Sequence, residues 1–430
     1  MKIQDRIKTK GNKGITLIAL VITIIVLLIL AGVTIAALSG DNGILTRAKE
    51  AKEKTKQAQE DEKQKLSNME NLLGSYNLKN VNTADTNPAK TIPENSIVLE
   101  DDANKGIVIK DKNNNEWVWV EVPKATVFSG LTIDTTQELT EQNYNDIKNK
   151  LIAYASTYRE GKSGQGCNWT DEYYSGCGMT QDEYTATYQK MLKSVYIYGG
   201  FWIGRYEAGI EGSVDDVSKA RTNASARISI EISPKAISQK DAIPYNYIYC
   251  SEAQALAKEM TPNSNYTSSL MFGIQWDLVC KYLEVKSTLE TPDINSNSTS
   301  WGNYSNAKIE KIASGKYAVY NGSSLGTWTT ISGSYTKQDS GNDYRTLLST
   351  GISEYTKKMN IYNFASNERE WTLEKTSNSN YPCALRGGSY DLSGSFYPAS
   401  HRNNIGTTIA YSDIGFRPAL YVNWKLKPWL

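Results

Sequence analysis

The sequence is poor in the side chains on which most metal and proton-transfer sites depend. Its 430 residues contain a single histidine, His401, and five cysteines, none of which forms a CxxC pair. Three-histidine iron sites, histidine-based zinc sites and His–Asp proton relays all need further imidazoles or a substitute base. The formal net charge is only +1, so bulk charge gives no attraction to nucleic acid. We therefore expect neither a histidine-based enzyme nor a nucleic-acid partner.

The aromatic residues are unevenly distributed, with 28 Tyr and 10 Trp against 6 Phe. Tyr and Trp suit interfaces that stay partly wet, and Tyr is also common on the strands of large β-rich domains, so both interpretations stay open. Cys167 and Cys177 flank a Gly/Tyr-rich loop and could form a disulfide outside the cell. Cys250, Cys280 and Cys383 lie in apolar or aromatic surroundings, which favours buried free thiols.

The N-terminus has the pattern of a membrane anchor. A basic segment, residues 1–14, precedes an uncharged and strongly apolar segment, residues 15–40. As a helix, residues 15–38 would be about 36 Å long, enough to cross a hydrocarbon layer of roughly 30 Å. Because basic flanks stay cytoplasmic, this pattern predicts a single-pass membrane protein with its C-terminal domain extracellular. Residues 41–76 follow with amphipathic spacing, which indicates a stalk helix or a packing face for neighbouring subunits.

This order of basic leader, Gly14, Ile15 and a long apolar helix resembles a type IV prepilin. The resemblance implies leader cleavage between Gly14 and Ile15, with other pilins as partners in a pilus or at its tip. Ala19 stands where the family usually has a glutamate that neutralises a neighbour's N-terminal amine. The chain would then sit at a filament tip, or serve as a pilin-like anchor that does not polymerise.

The remainder indicates a linker, residues 77–96, and one large domain, residues 97–430. Strands are predicted at 97–99, 106–109 and 116–122, and a hairpin at 194–207 turns at two glycines. Helices are predicted at 140–156, 251–260 and 273–285. The predicted fold class is α+β, in which a long N-terminal pilin-like helix leads into a domain with extensive irregular loops.

Four motifs in this domain carry a second resemblance. They occur in a fixed order: FWIGRYE at 201–207, NFASNEREWT at 363–372, RGGSY at 386–390 and GFRP at 415–418. Together they are similar to the formylglycine-generating enzyme (sulfatase-modifying factor) family, which implies a C-type-lectin-like fold. The oxidase members hold copper with two cysteines shortly after RGGSY, where this chain has Leu392 and Tyr397. Neither side chain supplies a thiolate, so we predict that the chain is not an enzyme.

The resemblance also implies calcium at the second motif, although no cofactor is required. The matching ligands would be the Asn363 side chain, the Ser366 and Glu368 carbonyls and the Glu370 carboxylate. In the alternative interpretation, Asn363 and Glu370 only hydrogen-bond the backbone of the loop.

Some lectin-fold proteins of this kind bind receptors through the segment between RGGS and GFR, which a retroelement diversifies. Here residues 390–413 are rich in Tyr, Ser, Asn and Gly, which give adaptable contact area. The side chains expected to reach a ligand are Tyr390, Phe396, Tyr397, His401, Arg402, Asn403, Asn404 and Tyr411. An ordinary surface loop is the alternative. The sequence thus predicts a cell-surface, pilin-like adhesin whose ligand is an extracellular protein or glycan; the other hypotheses are a formylglycine-generating oxidase and a structural minor pilin that caps a filament.

Overall fold

The computed structural model describes residues 17–39, 47–59, 85–159, 169–221, 223 and 234–423. The chain divides into two compact units, Met1–Tyr76 and Asn77–Leu430. The predicted processing residues Gly14 and Ile15 lie outside the described residues, as does Cys167.

In the first unit, helix α1 spans Leu17–Ser39, and residues 47–59 are also helical. Over the described part of the chain, no helix combines the length and the apolarity that a membrane crossing requires. The prediction of a single-pass membrane protein is corrected on this ground.

The second unit contains short helices and many strands. The helices are α2 Lys124–Val127, α3 Glu141–Tyr154, α4 Ser156–Arg159, α5 Gln181–Tyr198, α6 Cys250–Glu259, α7 Gly273–Lys286 and α8 Thr291–Asn295. The first strands are β1 Ile97–Glu100, β2 Val108–Lys110, β3 Glu116–Glu121, β4 Trp169–Thr170, β5 Gly200–Gly204, β6 Gly209–Ile210, β7 Ala236–Ile237, β8 Tyr266–Leu270, β9 Ile309–Ile312 and β10 Lys316–Val319. The others are β11 Thr329–Thr330, β12 Tyr335–Lys337, β13 Thr346–Leu348, β14 Lys357–Lys358, β15 Ile361–Tyr362, β16 Arg369–Thr376, β17 Cys383–Arg386, β18 Arg402–Ile405, β19 Ile414–Phe416 and β20 Pro418–Val422.

A six-stranded antiparallel sheet forms the larger part of the core, in the order β1-β2-β3-β5-β20-β8. Its central strand β3 has the sequence EWVWVE, and its four inner residues are buried. Such a continuous apolar run, rich in β-branched and aromatic residues, is typical of a strand covered on both faces. Trp119 of β3 meets Trp202 of β5 edge to face, with ring centroids 5.1 Å apart.

A second sheet carries the segment that was predicted to bind a ligand. Its strand order is β18-β17-β16-β19, and β4 also pairs with β16. β16 and β19 run parallel, whereas the other pairs in this sheet are antiparallel. Residues 387–401 therefore connect β17 to its neighbour β18, and residues 406–413 connect β18 to β19.

The predicted fold class, α+β with a long pilin-like helix at its head, is wrong. The described chain is mostly β-rich, and most of its strand pairs are antiparallel. The predicted hairpin at 194–207 is also wrong in its first half, since residues 194–198 end helix α5. A capping box at Thr180 starts this helix, and Gly199, with a φ of 74°, ends it.

Candidate functional site

The segment 390–413 divides into side chains that support the fold and side chains that reach solvent. The predicted ligand-binding residues that are buried are Tyr390, His401, Arg402 and Asn404. Those that are exposed or half-buried are Phe396, Tyr397, Asn403 and Tyr411. Phe396 is 75% exposed and Tyr411 is 53% exposed. The eight residues therefore do not form one continuous face.

Arg402 belongs to a buried ion network. Its Nε lies 3.0 Å from Oε1 of Glu374, and its Nη2 donates to both carboxylate oxygens of Asp277. Arg386 lies beside it, with Nη2 2.8 Å from Oδ1 of Asp277 and Nη1 2.9 Å from Oε2 of Glu374. All four of these side chains are fully buried. The Arg402 guanidinium is therefore a structural group and does not reach a ligand at the surface.

Two further charges complete the network. Nη1 of Arg159 lies 2.7 Å from Oε1 of Glu374, and its Nη2 lies 3.3 Å from Oδ2 of Asp171. Asp171 in turn accepts from the first two backbone N–H groups of helix α7, Gly273 and Ile274, at 2.7 and 3.1 Å. A carboxylate at a helix N-terminus satisfies donors that have no partner inside the helix. The network thus ties α4, α7 and the second sheet together.

The charges in this network balance, because three guanidinium groups face three carboxylates. Burial opposes ionisation, but Arg402, then Arg386 and Arg159, hold the pKa of both Asp277 and Glu374 below its usual value. The pKa of Asp171 is instead raised, because its burial outweighs the attraction of Arg159. Buried ions of this kind are stable only while every charge keeps its partners.

His401 is a buried neighbour of the network. Its ring packs edge to face on Tyr397, with centroids 4.7 Å apart. Burial first, and Arg386 second, lower the pKa of His401 to about 4. The imidazole is therefore neutral at physiological pH.

The buried Tyr390 and the exposed Tyr411 lie near further tyrosines. The Tyr390 hydroxyl lies 2.8 Å from the Oγ of Ser412, and its ring meets Tyr320 edge to face at 6.3 Å. Tyr247 donates its backbone N–H to the Tyr411 carbonyl at 3.0 Å. Burial raises the pKa of Tyr247, whose hydroxyl also lies close to Ser412. Tyr247 and Tyr390, from distant parts of the sequence, thus meet at the Ser412 side chain, and Tyr320 packs on Tyr390.

A charged pair borders these rings. Tyr320 donates its backbone N–H to the Arg345 carbonyl at 2.8 Å, and the Arg345 guanidinium lies 5.1 Å from the centroid of the Tyr344 ring. Nε of Arg345 forms an ion pair with Asp391, 2.9 Å from its Oδ1. Their side chains are 35% and 27% exposed. We define the tyrosine surface as the partly or fully exposed Tyr320, Tyr344, Arg345, Asp391 and Tyr411, which the buried Tyr247, Tyr390 and Ser412 support from beneath.

Sequence reasoning found Tyr390 and Tyr411 but missed most of this surface. Tyr320 and Tyr344 lie outside residues 390–413, the segment for which the sequence predicts ligand contacts. The Tyr enrichment was the available signal, but nothing local indicates which tyrosines meet.

Two of the four residues predicted to bind calcium, Asn363 and Glu370, have other side chains as partners. The Oδ1 of Asn363 accepts from the Thr356 hydroxyl at 2.6 Å, and its Nδ2 donates to Oε1 of Glu207 at 3.0 Å. Arg417 lies within hydrogen-bonding distance of both Glu370 oxygens, at 2.9 to 3.3 Å. Both side chains therefore have protein partners that a calcium ion would have to share, and calcium at this motif stays a prediction.

Glu368 and Glu207 form the least satisfied part of this region. Within the described chain, neither carboxyl oxygen of Glu368 has a hydrogen-bond partner, and Oε2 of Glu207 has none. Burial raises the pKa of Glu207 to about 8, and burial and Glu207 raise the pKa of Glu368 well above its usual value. Ser366, the fourth predicted ligand, is fully buried. Among the residues that the structure describes, no group of three or more His, Cys, Asp or Glu side chains is arranged to hold a metal ion.

Comparison with protein-family models finds no match to this chain, and comparison with curated proteins finds no relative.

Proposed function

We propose that the unit Asn77–Leu430 is a binding domain without catalytic activity, and that the tyrosine surface recognises a protein ligand. The observation that carries this proposal is the packing of the half-buried Tyr320 on the buried Tyr390, close to the partly exposed Arg345 and to Ser412, which follows the exposed Tyr411. Tyr and Arg are the residues most enriched at protein interfaces, because they combine contact area with directed hydrogen bonds. A tyrosine also loses little conformational entropy when it is fixed by a ligand.

The base beneath the surface supports this function. Asp413, next to Ser412, accepts two hydrogen bonds from Arg369 at 3.0 Å and one from the Ser389 hydroxyl at 3.0 Å. A bidentate arginine–carboxylate pair fixes both partners in orientation. The loops that carry Tyr390 and Tyr411 therefore start from a rigid support, which lowers the entropic cost of binding.

The motifs similar to the formylglycine-generating family support a binding role more than an oxidase role. Leu392 and Tyr397 stand where the oxidase members carry copper-binding cysteines, and neither provides a thiolate. Conversion of a thiol-bearing peptide to an aldehyde by the purified chain would contradict the non-catalytic part of the proposal.

The test compares the full chain with three variants on an array of immobilised proteins and on a glycan array. Tyr411→Ala and Arg345→Ala should each lower the affinity for the proteins bound by the wild type at least tenfold, which is about 1.4 kcal/mol. Tyr381→Ala is the matched control, because Tyr381 is 49% exposed and makes none of the contacts that define the tyrosine surface.

Two outcomes would refute the proposal. Equal binding by the wild type and all variants would show that the tyrosine surface is not the interface. Binding to glycans alone, with the same loss of affinity in the two variants, would support the tyrosine surface as the interface but refute a protein as the ligand.

A further inference from the structure

Two cysteines that are far apart in the sequence meet in the core. Cys250 begins helix α6 and Cys383 begins strand β17, and both are fully buried. Their Sγ atoms lie 3.7 Å apart although 133 positions separate them along the chain. A disulfide has a sulfur–sulfur distance of about 2.05 Å, so the two atoms need to approach by about 1.7 Å.

Tyr174 holds both sulfurs in place. Its hydroxyl lies 3.1 Å from Sγ of Cys383 and 3.4 Å from Sγ of Cys250, and it donates to the Thr372 carbonyl at 2.8 Å. Sγ of Cys383 also lies 3.3 Å from the same carbonyl. The thiols are thus fixed side by side, whereas Cys177 lies 3.9 Å from its nearest polar contact, the Met179 carbonyl.

We propose that Cys250 and Cys383 are a modification site at which a small peroxide converts the two thiols into a reversible disulfide. One thiol, as it loses its proton, attacks hydrogen peroxide to give a sulfenic acid and one water. The second thiol then attacks that sulfur, which releases a second water as the S–S bond forms. Two thiols are oxidised by two electrons, and one peroxide is reduced to two waters.

The position of the pair favours a small oxidant over a bulky disulfide reagent. The backbone N–H of Cys250 donates to the Thr407 carbonyl at 3.1 Å, and Thr407 is half-buried while Thr408 is exposed. The pair therefore lies one residue layer below the surface. Burial and the neighbouring Cys250 raise the pKa of the Cys383 thiol, so the thiolate is scarce and we expect slow oxidation.

The bond would join α6 to the sheet that carries the tyrosine surface. Cys383 pairs with Ile405 across β17 and β18, at the start of residues 406–413. A cross-link between positions so distant in sequence restricts the unfolded chain strongly. Oxidation should therefore raise the melting temperature of the protein, and reduction should reverse the change.

The test treats the full chain with hydrogen peroxide and measures the intact mass, the free thiols and the peptide map. We expect a loss of two hydrogen atoms and of two thiols, a peptide that joins Cys250 to Cys383, and a melting temperature that dithiothreitol returns to its starting value. Cys250→Ser should abolish all four changes, and Cys280→Ser, which removes another buried thiol, should leave them intact.

Three outcomes would overturn the proposal: no loss of thiols, addition of oxygen without a cross-link, or a cross-link between another pair such as Cys177 and Cys250. Cys250→Ala is the second variant if the serine prevents folding. Because these measurements involve no ligand, their failure is distinguishable from failure of the proposed binding function.

Discussion

Replacing Arg402 by methionine removes one positive charge from the buried network while keeping much of the side-chain volume. Asp277 and Glu374 are fully buried and would share the two remaining guanidinium groups, which leaves a net negative charge in the core. Each of their oxygens that Arg402 contacts keeps one other guanidinium partner, from Arg159 or Arg386. The cost is therefore that of one unpaired buried charge, about 3–5 kcal/mol in free energy of unfolding.

The loss of stability in Arg402→Met should depend on pH. The pKa values of Asp277 and Glu374 are lowered in the folded state, so the stability that they contribute is present above their unfolded pKa values and is lost on acidification. Without Arg402 these pKa values rise, and protonation relieves the excess negative charge. We therefore expect the difference between Arg402→Met and the wild type to be largest at neutral pH and to shrink in acid.

The assay is urea unfolding followed by tryptophan fluorescence, at neutral and acid pH. Arg345→Met is the control, because its ion pair with Asp391 is partly exposed and such pairs contribute about 0–1 kcal/mol. If Arg402→Met were no less stable than Arg345→Met at neutral pH, the buried network would not stabilise the fold as we infer.

Three further predictions concern stability. Glu368→Gln should raise the free energy of unfolding by about 1–3 kcal/mol at pH 7 and leave it unchanged near pH 4. The reason is that a carboxyl group whose pKa is raised in the folded state destabilises the fold only above its unfolded pKa. If urea unfolding gave the same difference between variant and wild type at both pH values, this prediction would be wrong. Chelation by EDTA should leave the melting temperature unchanged if Thr356 and Arg417 are sufficient partners for Asn363 and Glu370; a fall that calcium restores would show that this motif binds calcium. Thr180→Ala should cost about 1 kcal/mol by removing the N-terminal cap of α5, whereas Thr180→Ser should cost little.

Local sequence determined several elements well. Helix α7 was predicted at 273–285 and spans Gly273–Lys286, and β3 was predicted at 116–122 and spans Glu116–Glu121. Both have a strong apolar pattern over a short window, and such patterns need no knowledge of distant residues. The end of α5 was missed, because alternating Val, Tyr and Ile at 194–198 resemble a strand and only the cap at Thr180 and the left-handed Gly199 set the helix boundaries.

The sequence by itself determined the shortage of histidine, the abundance of tyrosine and the positions of the strongest helices and strands. Only the tertiary structure decided which polar side chains are used inside the core. Arg402 lies 125 positions from Asp277, Tyr320 lies 70 positions from Tyr390, and Cys250 lies 133 positions from Cys383. Spacing along the chain does not encode such pairings, because they arise when the strands of separate segments come together and exclude water.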